Sequence, residues 1–182
     1  MKKLIFLILI LLTTIGCGLT PEKTVETFLT DVKEKKVDKA MELSNNPDFV
    51  KNLEHNFSND MQKKFFNTLY SNLEFKVLNS VKQQDKSIIV NVEIVNIDVQ
   101  DLLLKVFQSS LQKTFNGQKD VNIEKEILSV LSSGNFKKNK VVDQYVLVRK
   151  GRKYKVDVTS KNIDNIFGGY YSSIANISNI GR

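Results

Sequence analysis

Few side chains in this chain of 182 residues have the chemistry of a reaction centre, and their spacing excludes more than it suggests. His55 is the one histidine, so any Ser-His-Asp arrangement depends on it entirely. It stands in the polar run Asn52-Leu53-Glu54-His55-Asn56, the setting of a solvated surface residue. Asp98 and Asp101 lie three apart, a spacing that offers oxygens to a hard cation. Two carboxylates at a helix start serve more often as caps and partners of the helix dipole. Gly168-Gly169 is not followed by Lys-Ser/Thr, so no phosphate-cradling loop is present. The densest charge is Arg149, Lys150, Arg152, Lys153 and Lys155. These five are candidates for contact with anionic lipid or wall polymer, and a solvated hairpin tip accounts for them equally well.

The one cysteine, Cys17, has the most informative setting. Lys2 and Lys3 precede an unbroken apolar run, Leu4 to Leu12, and Thr13-Thr14-Ile15-Gly16 leads into the thiol. Charged, then apolar, then small is the layout of a secretory signal peptide. The lone Cys after a small residue resembles the lipobox of bacterial lipoproteins, with Thr14 standing where Leu is usual. The resemblance implies that Cys17 carries a diacylglyceryl group and becomes the first residue of the mature chain. Two plainer readings remain. One is an uncleaved anchor, although the apolar run is shorter than the ~20 residues a spanning helix needs. The other is an ordinary signal peptide with an incidental thiol.

On the lipoprotein reading, residues 1–16 are the signal, 17–20 a lipidated tether and 21–182 a single domain. Localisation is then the extracytoplasmic face of the cell membrane, and the membrane itself is the first partner, held through the lipid. With Cys17 acylated, no thiol is left for disulfides, zinc or catalysis, and one histidine builds no metal site. Neither metal nor cofactor is expected. Net charge falls from +7 to +5 once Lys2 and Lys3 leave. In that compartment a basic surface meets head groups or wall polymers, not nucleic acid. Hydrophobic content of 41% is that of a folded domain.

Periodicity predicts helices first. Thr20 caps and Pro21 opens a helix whose Val25, Phe28, Leu29 and Val32 share one stripe. Val37 to Leu43 continues, and Ser44-Asn45-Asn46-Pro47 stops it. Asp48 to Leu53 is one more turn, and Asp60 to Asn72 a clearer helix with Met61, Phe65 and Leu69 inward. From Leu73 the period becomes 2: Leu73, Phe75, Val77 and Val81 alternate with polar residues. Ser87 to Val99 forms the return strand. There Ile88, Val90, Val92 and Ile94 point one way and Val95, Ile97 and Val99 the other, which predicts a β-bulge in mid-strand. A helix to about Phe115 places Leu103, Val106, Phe107 and Leu111 inward. Another, Val121 to Leu131, buries Ile123, Ile127, Leu128 and Leu131 and ends at Gly134. Val141 to Val148, apolar on both faces, reads as a central strand; Tyr154, Val156 and Val158 form its partner. Lys161 to about Ile174 closes the chain as a helix interrupted at Gly168-Gly169, followed by a frayed tail. The fold class is α+β: N-terminal helices packed on a curved antiparallel sheet, with a helical insertion between hairpins.

Residues Pro21 to Val32 with Val37 to Met41, and the hairpin Tyr145 to Val158, resemble small bacterial lipoproteins of the nuclear transport factor 2-like, or cystatin-like, superfamily. Tyr154 stands where those hairpins often carry Trp, and Ile166 to Tyr170 is similar to their closing helix. The resemblance implies a helix held inside a cone-shaped sheet. Enzymes of the superfamily use a Tyr or Asp inside the cone, which makes Tyr70, Tyr145, Tyr154 and Asp157 candidates, although alternation sets Asp157 on the wet side. No catalytic signature accompanies the match. The expected role is a non-enzymatic binding module for a small apolar ligand or an envelope protein, with a structural accessory subunit of a membrane complex, or an enzyme using the cone's pocket, as the alternatives. Cys17→Ser should release the processed protein from the membrane, as read by fractionation of cells, and undiminished retention would refute acylation.

Overall fold

The computed structural model describes residues 18–180 except 52, 54–56, 58 and 119. Cys17, the signal region and His55 therefore lie outside the described residues. Helix α1 (Pro21–Lys33) begins as its sequence requires, with Lys23 N–H donating to the Thr20 hydroxyl at 3.2 Å. Its stripe of Val25, Phe28, Leu29 and Val32 is buried against the sheet, where the Phe28 ring lies 6.5 Å from that of Tyr145. Helix α2 (Val37–Leu43) follows directly. Pro47, expected only to stop a helix, also opens the short α3 (Pro47–Lys51), because proline's missing N–H costs nothing in a first turn. The loop between α2 and α3 is pinned to the sheet margin. Asn45 N–H donates to the Val156 carbonyl at 2.8 Å, and Asn46 exchanges hydrogen bonds with the Val158 backbone at 2.7 and 3.1 Å. Polar side chains here satisfy backbone groups that an edge strand would otherwise leave open. Helix α4 (Asp60–Asn72), capped by Asn59, buries Phe65, Phe66, Leu69 and Tyr70.

Four antiparallel strands, β1 (Glu74–Lys82), β2 (Ile88–Ile97), β3 (Lys138–Lys150) and β4 (Lys153–Asp157), pair in chain order. The expected slip exists, but in a different strand. β2 pairs with β3 without interruption from Ile88 opposite Leu147 to Ile97 opposite Lys138. The register shift lies in β1, between Val77 and Asn79, where Leu78 is the extra residue. Val81, expected inward, is consequently 50% exposed, and Ser80 turns toward α1 to donate to the Glu22 carboxylate. In β2 the inner face runs Val90, Val92, Ile94 and then Asn96, all buried. The apparent change of phase was a buried asparagine in an apolar row. Ile97, on the opposite side, is buried as well.

Between β2 and β3 the chain makes α5 (Val99–Phe115) and α6 (Ile123–Ser133), the helical insertion expected from sequence. After β4 come α7 (Ser160–Ile166) and α8 (Tyr170–Ile180), so the predicted frayed tail is helical at least to Ile180. Gly168 and Gly169 break this last stretch with φ of 62° and 81°, values that a side chain resists. At Gly168 the approach is also too close for one: an added Cβ would stand 1.8 Å from the Ile97 carbonyl oxygen. Gly168→Ala should therefore destabilise the fold by roughly 3 kcal/mol or more, combining left-handed strain with a backbone clash. Equilibrium urea unfolding reads this directly, and an unchanged midpoint would refute the packing.

Candidate functional site

The end of β2 is where the insertion and the closing helices meet. Asn96 is buried, its Nδ2 donating to the carbonyls of Leu69 (3.1 Å) and Ile166 (2.6 Å) while its Oδ1 accepts from Ile97 N–H (2.7 Å). Two carbonyls from the last turns of α4 and α7, groups that lack a full set of intrahelical partners, thus share one side chain. Three residues after Asn96, Val99 N–H donates to the Gly168 carbonyl at 3.1 Å, and Asp98 accepts from Asp101 N–H at 3.0 Å as the cap of α5. Asp101 pairs with Lys105 (3.0 Å) and Lys137 (3.3 Å). Desolvation is the largest single influence and pushes its carboxyl up, but hydrogen bonds from Lys105 and Lys137 together outweigh it and hold the group below the ordinary range. Caps and ion pairs account for both aspartates. Among the described residues no group of three acidic, His or Cys side chains is placed to hold a metal.

These links set α5 beside α8 and leave an apolar groove of about 450 Å³ between them, lined by Gln100, Leu103, Leu104, Phe107, Asn176 and Ile177. The sequence placed Phe107 and Leu111 in the core. Instead Phe107 is 59% and Leu111 40% exposed, and with Leu104 (52%) and Phe115 (83%) they form a second, outward stripe at spacings of three and four. The core side of α5 is Val99, Leu102 and Val106. Ile123, also expected inward, is 52% exposed at the start of α6. A helix apolar on two faces needs two apolar neighbours, and the protein supplies one of them. That doubled pattern, Leu102-Leu103-Leu104 followed by Val106-Phe107, was the available signal for a site.

A buried carboxylate braces this unit from behind. Glu126 of α6 accepts hydrogen bonds from Lys113 and, at 2.7 Å, from the Ser109 hydroxyl, both on α5. The Lys113 ammonium, followed by the Ser109 hydroxyl, holds its carboxyl below the ordinary range.

The candidates for chemistry lie elsewhere and apart from one another. Tyr145 is fully buried beneath α1, and its hydroxyl has no hydrogen-bond partner among the described residues; burial pushes the phenol well above its usual range, with the charge of Asp143 adding to it. Asp143, also buried, is held by Asn162 Nδ2 at 2.9 Å, a structural link from β3 to α7. Tyr70 donates to the Leu53 carbonyl at 2.8 Å, and burial raises its phenol too. Tyr154 is half-buried, and Asp157 accepts from Asn45 at 3.1 Å. Of the basic group, Arg149, Lys150, Arg152 and Lys153 are exposed around the β3–β4 turn, whereas Lys155 is half-buried and donates to the Glu42 carbonyl.

Fold and groove together define a mixed α+β domain with an exposed apolar groove beside its helical insertion. The chain matches no protein-family model, no curated protein and no solved structure. Among the described residues no helix is long and apolar enough to cross a membrane.

A carboxyl whose folded pKa is depressed stabilises above its unfolded pKa and loses that contribution as pH falls through the folded one. Wild type should therefore exceed Glu126→Gln in stability fully at neutral pH. The gap should close as pH drops below the ordinary carboxylate value of 4.5. Urea midpoints of both proteins across that range measure it, and a gap independent of pH would refute the clamp.

Proposed function

We propose that this protein is a lipid-anchored extracytoplasmic binding module, tethered through Cys17, that grips an apolar segment of another envelope protein along α5. The observation that carries this reading is the outward stripe Leu104, Phe107, Leu111 and Phe115. Monomeric surfaces scatter single apolar residues but rarely align four large ones beside a groove. Eleven residue steps of helix separate the first from the last, about 16 Å of apolar edge. That is long and open, suited to a helix or extended segment laid along it. A small ligand would be better served by an enclosed cavity. The interior of the sheet, where a cone-shaped fold would hold a ligand, is filled by Phe28, Tyr145, Leu147 and Val156 at full burial.

The resemblance to cystatin-like lipoproteins belongs to the same reading, with α1 as the helix inside the cone. So does binding without catalysis: the hydroxyl of Tyr145 is sealed from substrate, and Tyr70 and Asp157 are engaged in structural hydrogen bonds. The neutral rim of Gln100, Ser173 and Asn176 favours an apolar partner surface over a charged one. A stable subunit of a membrane complex would use the same face, and the lifetime of the complex separates it from a transient binder.

A photo-crosslinker at position 107 in intact cells should capture one envelope protein through an apolar segment. Leu104→Glu should abolish that product while shifting stability by no more than about 0.5 kcal/mol, since the site is exposed. Native mass spectrometry of the gently purified protein provides the opposing outcome. A reproducible small-molecule adduct that Leu104→Glu removes, with no protein crosslink, would overturn the protein-partner reading.

A further inference from the structure

The two hairpin turns of the sheet lie at one end and the apolar groove opens at the other. β2 starts at Ile88, opposite Leu147 and three residues before the end of β3, and runs to Ile97, one turn before Gln100 and Leu103 of the groove. Nine residue steps at ~3.3 Å separate these ends by about 30 Å. At the turn end stand Lys82 and Lys86 from the β1–β2 hairpin and Arg149, Lys150, Arg152 and Lys153 from the β3–β4 hairpin, all exposed. None of the six forms an ion pair among the described residues. Three acids near that end are already engaged, whereas the exposed Glu42, beside β4, forms no ion pair among the described residues. Asp85 accepts from the Ser87 backbone and hydroxyl, Glu22 from Ser80, and Glu26 pairs with Lys23.

The start of the described chain is at the same end. Gly18 packs so closely on the β3–β4 turn that an added Cβ would lie 3.1 Å from the Arg152 carbonyl oxygen. The residue bonded to Gly18 is Cys17.

We propose that the two turns form a bilayer-facing surface whose six cations contact anionic phospholipid head groups, standing the sheet on the membrane with the α5–α8 groove turned away from it. This rests on the lipid-anchor reading, because an acyl chain on Cys17 would deliver these turns, and not the groove, to the head groups. Two signals at one place are what stable orientation requires. The acyl chains supply attachment without fixing rotation, and basic residues within a Debye length of an anionic surface supply the second contact. Lys155, turned onto the Glu42 carbonyl, is not part of the surface.

The test uses the full protein purified from cell membranes and reconstituted on vesicles of phosphatidylcholine alone or with phosphatidylglycerol. With Cys17 acylated, an introduced thiol is the only one to label. Energy transfer to a head-group acceptor should be strong from Lys86→Cys and weak from Phe115→Cys on phosphatidylglycerol vesicles. Lys150→Glu/Arg152→Glu/Lys153→Glu should erase that difference, as should raised salt. Equal transfer from both labels, or transfer indifferent to head-group charge, would overturn the proposal. Should the protein not stay on phosphatidylcholine, the anchor reading fails separately. Charge-dependent binding to phosphatidylglycerol vesicles, lowered about a hundredfold or more by the triple reversal, would then still support the contact, and binding to neither vesicle would refute both.

Discussion

One buried amide holds the architecture together. Asn96 sits in the inner row of β2, where an aliphatic residue would continue the pattern, and joins β2 to the ends of α4 and α7 through Leu69 and Ile166. A polar group in that position is costly unless its partners are fixed, and removing it would strand two carbonyls out of water. The neighbouring contacts depend on the same registration. Ile97 can carry its carbonyl against Gly168, and Val99 can donate to the Gly168 carbonyl, only while α7 ends where Asn96 holds it. The junction therefore also determines where α5 leaves the sheet and where α8 turns back.

From that junction the apolar groove follows. α5 needs little contact with the sheet because Val99, Leu102 and Val106 bury against the junction side, and the Glu126 clamp ties it to α6. What remains is a helix with an apolar face that α8 borders only across the groove and that stays largely exposed. Burying one of its exposed residues against a partner is worth about 1.5–3 kcal/mol, so the stripe has ample driving force for association. The fold holds this face open by polar links at its ends and a salt bridge behind it, and leaves the apolar groups themselves uncommitted.

The sheet gives the molecule two chemically distinct ends. The hairpin turns collect cations that form no ion pair among the described residues, where Gly18 packs, and the helical end collects exposed Leu, Phe and Ile. Antiparallel pairing in chain order produces this separation without any further device. Both hairpins must turn at the same end, and the long connection between β2 and β3 must leave from the other. Placing the α5–α6 insertion in that connection puts it as far from the turns as the strands are long.

Much of this was legible in residue order alone. The bounds of α2 and α4 follow from period and capping, α1 begins where Thr20 and Pro21 require, and β3 was readable as central because Val142, Val146 and Val148 face one way and Tyr145 and Leu147 the other. These are local properties: a stripe, a cap or a left-handed glycine acts within a turn or two of itself. The sequence also determined the lone cysteine behind an apolar run, and with it the expectation of a tether. Tertiary structure alone decided which apolar residues stay outside. Phe107, Leu111 and Ile123 have the same spacing as core residues, and burial depends on whether another element arrives to cover them. The apparent slip in β2 has the same origin. Val95 and Ile97 seemed to continue an apolar row that Asn96 had ended, since no periodicity can show that an asparagine is buried by two helices from distant parts of the chain.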